Sequence, residues 1–266
     1  SKYASTANGW KYYIGQEKGV KDLDVVGNKA AFEEEFTKWV NASPDRKAAY
    51  GSVLSDMAEV YKSREPSTSP IIYASLAGMG GAEILGLAQD FMGLQGVMEQ
   101  AKEEKDKEKK AKKEEQVQKA AEGLIAAAEE HFKDYDMATD QDVLARMTRL
   151  YYDRMPSEYH PDILMKMEQK YKGDFGAYAA YVFANSFMKD MNSVTGFLND
   201  PDLKTLEKDP AFQLMQGYMG EMMEIRGGYM QGGDKLSTAE RKFSKGVREM
   251  MPDGKFYPDA NSTLRF

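Results

Sequence analysis

Few residues in this sequence have the types and spacing that catalysis requires. Ser186 and Lys189 form an S-x-x-K pattern, in which a lysine one helical turn away could activate a serine hydroxyl. No S-D-N or K-T-G segment accompanies this short pattern, so we interpret it as a coincidence. His131 and His160 are the two histidines, they form no HExxH pattern, and cysteine is absent. The chain therefore holds little material for a catalytic centre.

Two segments resemble ligand-binding loops but lack required residues. The run DYDMATDQD at 134–142 brings four aspartates together, yet a calcium loop needs glycine where Thr139 stands and an acid where Ala145 stands. The run GMGGAE at 78–83 is similar to a dinucleotide-binding loop, but Glu83 replaces the last glycine and no strand precedes it. We expect no metal and no other cofactor, and we predict helix caps and close helix packing instead.

The segment SKYASTANGWKYYIG at residues 1–15 places aromatic side chains around one amide. Asn8, Trp10, Tyr12 and Tyr13 surround a predicted turn at Gly9. An amide oxygen can accept a hydrogen bond from a cationic donor. An aromatic cluster of this composition is more often a docking site for a helix than a ligand site. On composition alone we favour the docking interpretation.

A methionine-rich segment offers a second candidate surface. Its five methionines recur at roughly helical spacing and are Met215, Met219, Met222, Met223 and Met230. Flexible thioether side chains can form an adaptable groove for a peptide. The alternative is ordinary filling of a core, and we favour it.

Helix signals dominate the chain. Ser43, Pro44 and Asp45 provide a cap, a proline at the first helical position and an early acid. One face of the following run carries apolar side chains and is predicted to be core: Tyr50, Val53, Leu54, Met57 and Tyr61. The segments TDQD at 139–142 and STAE at 237–240 have capping-box spacing and predict two further helix starts.

Two long stretches differ sharply in composition. Residues 71–98 are rich in Ala, Gly and Leu but are interrupted by Glu83, Gln89 and Asp90, which favours a buried helical hairpin over a membrane span. Residues 102–115 are charged at every position except Ala111 and should be exposed to solvent. We expect one long helix from the end of the hairpin through this charged segment.

Composition limits the class of protein. The 266 residues include 36 basic and 43 acidic ones, and the resulting formal charge of −7 disfavours a nucleic-acid partner. A mean hydropathy of −0.64 and the lack of a long apolar stretch argue against a membrane span. Residues 262–266 alternate like the start of a strand. We predict an all-α, multi-helix domain with a short β-strand stub at the C-terminus, excised from a longer polypeptide.

Four segments together resemble a known family. In order and spacing they are similar to the bacterial serine dipeptidyl-peptidases, the family of dipeptidyl-peptidases 7 and 11. The segments are SKYASTANGWKYYIG, AFEEEFTKWV followed by YGSVL, FLNDPDLKTLEKDP, and PDANSTLRF. They span nearly the whole chain, and PDANSTLRF is the most specific. Gly9 departs from the pattern, because a bulkier residue is expected there.

The resemblance implies a fold and an activity. Members look like chymotrypsin-type double β-barrels with a large helical insertion, and residues 1–266 would be that single α-helical cap domain. The intact enzyme would be a serine dipeptidyl aminopeptidase that releases dipeptides from free peptide N-termini in the periplasm or at the cell surface of a Gram-negative bacterium. Its triad would lie in the barrels, so the resemblance implies no catalytic residue in this chain, and the fragment alone should be inactive.

The resemblance also implies one binding residue. Asn8 matches the asparagine of an S-x-x-N-x-W-K stretch that helps bind the α-amino group of the substrate, and Trp10 is a second candidate for the same wall. The implied partners are peptides with a free N-terminus, the β-barrel domain of the same polypeptide and a second subunit in a homodimer. We further expect hinge closure over the cleft. The competing hypothesis is a non-catalytic helical scaffold or peptide-binding protein that uses the methionine-rich segment.

Overall fold

The structure, a computed structural model, describes the backbone of residues 2–256 and the side chains of residues 7–256. Within residues 2–256 there are fourteen α-helices and no strand, which confirms the all-α prediction. The helices are α1 (Lys2–Asp22), α2 (Val25–Asn41), α3 (Pro44–Tyr50), α4 (Val53–Ser75), α5 (Glu83–Asp90), α6 (Met92–Glu103), α7 (Lys107–Phe132), α8 (Met137–Arg154), α9 (Asp162–Tyr171), α10 (Phe175–Asn185), α11 (Met191–Asn199), α12 (Leu203–Lys208), α13 (Pro210–Tyr229) and α14 (Gly233–Met250). The predicted strand stub lies outside the described residues.

The chain divides into two compact units. The first unit comprises residues 1–63 and 231–266, and the second comprises residues 64–230. Helices α1 to α3, the beginning of α4 and α14 belong to the first unit, and the helices from the rest of α4 to α13 belong to the second. That residues 1–266 act as one cap domain stays a prediction.

The second unit is built around a large apolar core. Tyr151, Tyr178 and Tyr218 are among its largest fully buried side chains, and the rings of Tyr151 and Tyr218 meet edge to face with centroids 4.9 Å apart. Phe91 and Phe212 are completely buried in the same cluster. Burial of so many large side chains supplies most of the stabilisation of this unit.

The first unit has a smaller, aromatic core. Phe36, Val40, Tyr50 and Val53 are buried, and the ring centroids of Phe36 and Phe243 are 5.0 Å apart. Burial of Tyr50 and Val53 confirms the predicted apolar face of α3 and α4. The exception is Tyr61, which is 52% exposed. Tyr61 lies on α4 beyond the residues of that helix that cover the small core.

Close approach of α14 to this core depends on a glycine. A Cβ atom added at Gly246 would lie 2.9 Å from Cε2 of Phe36 and 3.4 Å from Cδ1 of Tyr50. The distance to Phe36 is shorter than ordinary van der Waals contact, whereas that to Tyr50 is at its lower limit. Glycine therefore lets the backbone of α14 rest directly on the aromatic rings.

The long helix predicted across residues 102–115 is wrong. Helix α6 ends at Glu103 and α7 begins at Lys107. The Oδ1 atom of Asp106 accepts the backbone N–H of Lys109 at 3.0 Å, and Oε1 of Glu104 accepts those of Lys105 and Asp106. Acidic side chains thus satisfy the N–H groups that a helix start leaves open. The predicted solvent exposure of this charged segment is confirmed, because residues 105–112 are all exposed.

Helix starts were predicted with mixed success. The cap at Ser43 is confirmed, since its Oγ atom accepts the N–H of Arg46. The cap at Thr139 is wrong, because Asp136 caps α8 and accepts the N–H of Thr139 at 2.7 Å. The start at Ser237 is also wrong, because α14 begins at Gly233. A hydroxyl and an acid three residues apart occur inside helices as well as at their ends.

Residues 71–98 fold into the end of α4, a π-helical turn at Leu76–Gly80, α5 and most of α6. Ile84, Leu85, Leu87 and Ala88 are buried in the core of the second unit, which confirms interior packing. A Cβ atom added at Gly78 would lie 2.6 Å from Cβ of Tyr218, so only glycine fits there.

No single helix in the described part of the chain is long and apolar enough to cross a membrane. One pair of helical stretches, Pro44–Gly80 and Glu83–Glu103, meets the length and composition test only when taken together, and it is bent by 83°.

Candidate functional site

The candidate substrate-binding residues lie on α1. This helix runs without interruption through Gly9, so the predicted turn at Gly9 is wrong. A Cβ atom added at Gly9 would have no neighbouring atom within 4 Å. Glycine is tolerated in this helix because no packing demands a side chain at that position, although it weakens the helix. Asn8 is exposed, and Trp10 is 66% exposed.

Helical geometry separates the two candidates. Side chains two positions apart on an α-helix point about 200° away from each other. Tyr12, four positions after Asn8, lies on the Asn8 side of α1, whereas Tyr13 and Ile14 lie on the Trp10 side. The structure therefore brings Asn8 together with Tyr12 and does not bring Trp10 onto the same face.

The surroundings of Asn8 are aromatic and open to solvent. Tyr12 and Tyr13 are 62% and 72% exposed, and their rings meet edge to face with centroids 5.6 Å apart. Among residues 7–22, the part of α1 whose side chains are described, none is buried. Exposed apolar side chains in such number mark an interaction surface. We name these exposed side chains of residues 7–22 the α1 surface.

An exposed asparagine can act as a hydrogen-bond acceptor for a cation. Its amide oxygen has two lone pairs, and an ammonium group has three donors and no acceptor. Within residues 7–256 no side chain forms a hydrogen bond with the amide of Asn8. The amide group is therefore available to a ligand rather than committed to a helix cap.

The S-x-x-K pattern forms no catalytic pair. Ser186 is buried, its hydroxyl donates to Oδ1 of Asp209 at 3.0 Å, and its oxygen accepts the N–H of Met188. The Lys189 ammonium donates instead to the backbone carbonyl of Ala184 at 3.3 Å. Ser186 therefore has a structural role, as the interpretation of coincidence requires.

Neither histidine lies in a catalytic arrangement. Nε2 of His160 is 3.0 Å from the carbonyl oxygen of Met155, and its ring stacks on Tyr152. His131 packs against Phe132 and Tyr135. Across the described residues, no group of three or more His, Asp or Glu side chains has an arrangement that could hold a metal ion.

The aspartate cluster at 134–142 has structural roles. Asp140 is buried, and its two oxygens accept the N–H groups of Glu83 and Ile84 at 2.6 and 2.9 Å. Tyr135 also donates its hydroxyl to this carboxylate at 2.9 Å. Helix capping was the predicted role of these acids, but Asp140 caps α5, more than fifty residues earlier in the chain. Spacing within the cluster could not reveal that partner.

Asp209 is a second buried carboxylate that the sequence interpretation missed. It accepts hydrogen bonds from the hydroxyl of Ser186 and from the backbone N–H groups of Phe187, Ala211 and Phe212. Burial raises the pKa of its carboxyl, while the four hydrogen bonds act in the opposite direction. The signal was present in the sequence, because Asp209 precedes Pro210 as a cap precedes a proline at the first helical position.

The methionine-rich segment contributes mainly to the core. Met215 is buried, and Met219 and Met222 pack against the core of the second unit. Met223 and Met230 are exposed. The segment thus presents two separate exposed methionines rather than a continuous groove, in agreement with the favoured interpretation.

Comparison with known proteins identifies the family. The family model described as Peptidase S46 matches residues 1–266. The chain belongs to the peptidase S46 family. Dipeptidyl-peptidase 7 of Porphyromonas gingivalis is 30% identical over 270 residues, which cover 100% of this chain and 35% of that protein. The Asp/Glu-specific dipeptidyl-peptidase of Flavobacterium psychrophilum is 26% identical over 269 residues, again 35% of its length. The resemblance found in the sequence is confirmed.

A solved structure of the S46 relatives shares the fold. DPP11 of Porphyromonas endodontalis, crystallised with the dipeptide Arg-Glu, superposes with a TM-score of 0.75 at 20% identity. The match covers 99% of this chain and 36% of that one. The chain therefore spans about a third of the length of the S46 relatives that it matches.

Proposed function

We propose that this chain is the substrate-covering helical domain of a serine-type dipeptidyl aminopeptidase of the S46 family. In this proposal Asn8 helps to bind the free α-amino group of the peptide. The groups that contact the carboxyl side of the dipeptide and cleave the peptide bond lie in the remaining part of the polypeptide. That part is folded as a chymotrypsin-like double β-barrel. The observation that carries the proposal is the exposed, uncommitted amide of Asn8 on a helix without buried side chains, in a chain that matches the S46 family along its whole length.

The chemistry of Asn8 suits an enzyme that cleaves a peptide at a fixed distance from its N-terminus. An exopeptidase needs fixed acceptors at the position where the peptide ends, and an amide oxygen is one such acceptor. A continuing or acetylated chain would leave the oxygen unpaired, which disfavours its binding. Tyr12, on the same side of α1, adds an aromatic ring that can attract the ammonium charge. Trp10 would contact the peptide only from the opposite side of the helix.

The rest of the α1 surface supports a role at a contact between domains. Trp10 and Tyr13 are 66% and 72% exposed, and exposed aromatic side chains of this size are typical of a contact site. Since the relatives are about three times longer than this chain, we propose that the remaining polypeptide covers these side chains. Trp10 then contributes to that contact.

Three further features belong to the proposal. The enzyme acts in the periplasm or at the cell surface of a Gram-negative bacterium, it is a homodimer, and its helical domain closes over bound peptide. Porphyromonas endodontalis DPP11 has been solved in an alternate conformation. This second conformation of a similar protein supports our proposal of a closing motion for the present chain. Identical domain angles in crystals of the free and the peptide-bound enzyme would exclude closure here.

The decisive experiment replaces two amide side chains of α1 with alanine, in two separate variants of the full-length enzyme. Asn8→Ala should lower kcat/KM for a free-amino dipeptidyl substrate by the equivalent of about 1 to 3 kcal/mol, because it removes a hydrogen bond to a charged group. Gln16→Ala is the matched control, since it removes an exposed amide from the same helix. Asn8→Asp, which keeps an acceptor oxygen, should retain most of the activity. Equal kcat/KM values for the Asn8→Ala variant and the unmodified enzyme would refute the role of Asn8.

A further inference from the structure

The cationic side chains of helix α14 lie in two different surroundings. On one side, the Lys235 ammonium lies 3.2 Å from Oδ1 of Asp56 and 2.7 Å from Oε2 of Glu59. On another side, a shallow groove of about 380 Å³ is lined by Arg241, Lys245 and Arg248 together with two serines and one glutamate. The single cation Lys235 is neutralised by these two acids of α4, whereas the three cations of the groove face solvent. We name Arg241, Lys245 and Arg248 the cationic stripe.

The two guanidinium groups of the stripe are oriented without a carboxylate partner. The two terminal nitrogens of the Arg241 guanidinium donate to the hydroxyls of Ser237 and Thr238 at 3.1 and 3.2 Å. The guanidinium of Arg248 lies 6.0 Å from the centre of the Phe256 ring. Within the described chain no carboxylate forms an ion pair with either arginine. Neutral partners thus limit the motion of both arginines while their charge remains available to a ligand.

The remaining members of the groove add little negative charge. Glu240, its one carboxylate, accepts a hydrogen bond from the hydroxyl of Tyr61 at 3.4 Å. Lys245 has one distant and exposed partner, Glu249, at 3.8 Å. An exposed ion pair of this kind contributes little. The groove is therefore positively charged, although the chain as a whole carries −7.

The spacing of the stripe fits an extended peptide. Positions i, i+4 and i+7 of a helix lie on one side and rise about 6 Å and then about 4.5 Å along the axis. An extended chain repeats its side chains on one face about every 6.7 Å. Two carboxylates on alternate residues of a peptide can therefore each meet a cation of the stripe. Arginine pairs with carboxylates through two parallel hydrogen bonds, which favours carboxylate side chains as the ligand groups.

We propose that the cationic stripe is a docking surface for an acidic, extended peptide segment. Nucleic acid fits less well, because three cations neutralise few phosphates and the net charge of the chain repels a long polyanion. The surface contains no residue of the α1 surface, and its role does not rest on the function proposed above.

The test measures binding of a fluorescein-labelled, N-acetylated peptide of alternating Glu and Ser to the 266-residue chain. Acetylation removes the free amino group, so recognition by Asn8 does not contribute. Replacing all three members of the stripe (R241Q, K245Q, R248Q) should weaken binding about tenfold or more, since every cation that can pair with the peptide carboxylates is lost. The matched control changes three exposed lysines of the same unit that lie outside both surfaces, Lys29→Gln, Lys47→Gln and Lys62→Gln, and should leave the affinity within about twofold.

Each outcome decides the proposal. Loss of binding in the stripe variant alone, with an unchanged circular dichroism spectrum, supports an acidic-peptide surface. Equal affinities of the unmodified chain and the stripe variant overturn it, as do equal losses in the stripe and control variants, which would indicate attraction by net charge alone. A single-stranded oligothymidylate that displaces the peptide at lower concentration would overturn it in favour of a nucleic-acid surface.

Discussion

The two units of this chain use their aromatic residues differently. In the second unit Tyr151, Tyr178 and Phe212 are buried together, and buried aspartates connect helix starts to that core. In the first unit a small core is centred on Phe36, and the aromatic residues of α1 are exposed. The second unit therefore buries most of its large side chains, whereas the first unit exposes several of them to solvent. Both proposed interaction surfaces of this protein lie in the first unit.

The largest contrast should come from truncating one aromatic side chain in each region. Phe212→Ala removes a completely buried ring and should lower the free energy of unfolding by about 3 to 5 kcal/mol. Trp10→Ala removes an exposed ring and should change it by less than about 0.5 kcal/mol. Urea unfolding followed by far-ultraviolet circular dichroism measures both. Similar losses in the two variants would show that α1 is packed in the isolated chain.

A pair of glycine substitutions sharpens the comparison within the first unit. Gly246→Ala forces a Cβ atom against Phe36 and should destabilise the unit by about 1 to 3 kcal/mol. Gly19→Ala, in the open part of α1, should be neutral or favourable by up to about 1 kcal/mol through helix propensity. Trp39, beside the small core, gives a fluorescence signal for unfolding of this unit. Destabilisation by Gly19→Ala would mean that α1 contacts other residues.

The smallest expected effect is the pH dependence of two aspartate caps in the second unit. Burial raises the folded-state pKa of Asp209, so the native protein binds more protons, and the stability due to this group is present at low pH and lost as pH rises through that pKa. The stability difference between the unmodified protein and Asp209→Asn should therefore decrease as the pH rises from about 3 to about 7.

The exposed cap at Asp202 is the control for that measurement. Hydrogen bonds from the Thr205 side chain and backbone lower the pKa of its carboxyl. Its contribution to stability is therefore present above the unfolded pKa and lost as pH falls through the folded pKa. The difference between the unmodified protein and Asp202→Asn should increase with pH, opposite in sign to that for Asp209. The same sign for both caps would show that hydrogen bonding outweighs burial at Asp209.

The candidate site could be predicted only in part. The pattern around Asn8 predicts a binding residue from a local motif, and that role stays a prediction, whereas the surroundings of the residue follow from the fold. The turn expected at Gly9 is instead a continuous helix, since glycine permits turns without requiring them. That difference places Trp10 on the opposite side of α1 from Asn8. Face and exposure depend on the whole helix, which four residues of a motif do not define.

The sequence by itself determined the all-α class, the apolar face of α3 and of the beginning of α4, the exposed charged segment and the family. Each of these follows from the periodicity or identity of neighbouring residues. The tertiary structure alone decided that Asp140 caps α5, that Ser186 bonds to Asp209 and that Gly246 meets Phe36. These contacts join residues far apart in the chain. Their partners are selected by the packing of whole helices, and that packing is a property of the folded chain rather than of any local pattern.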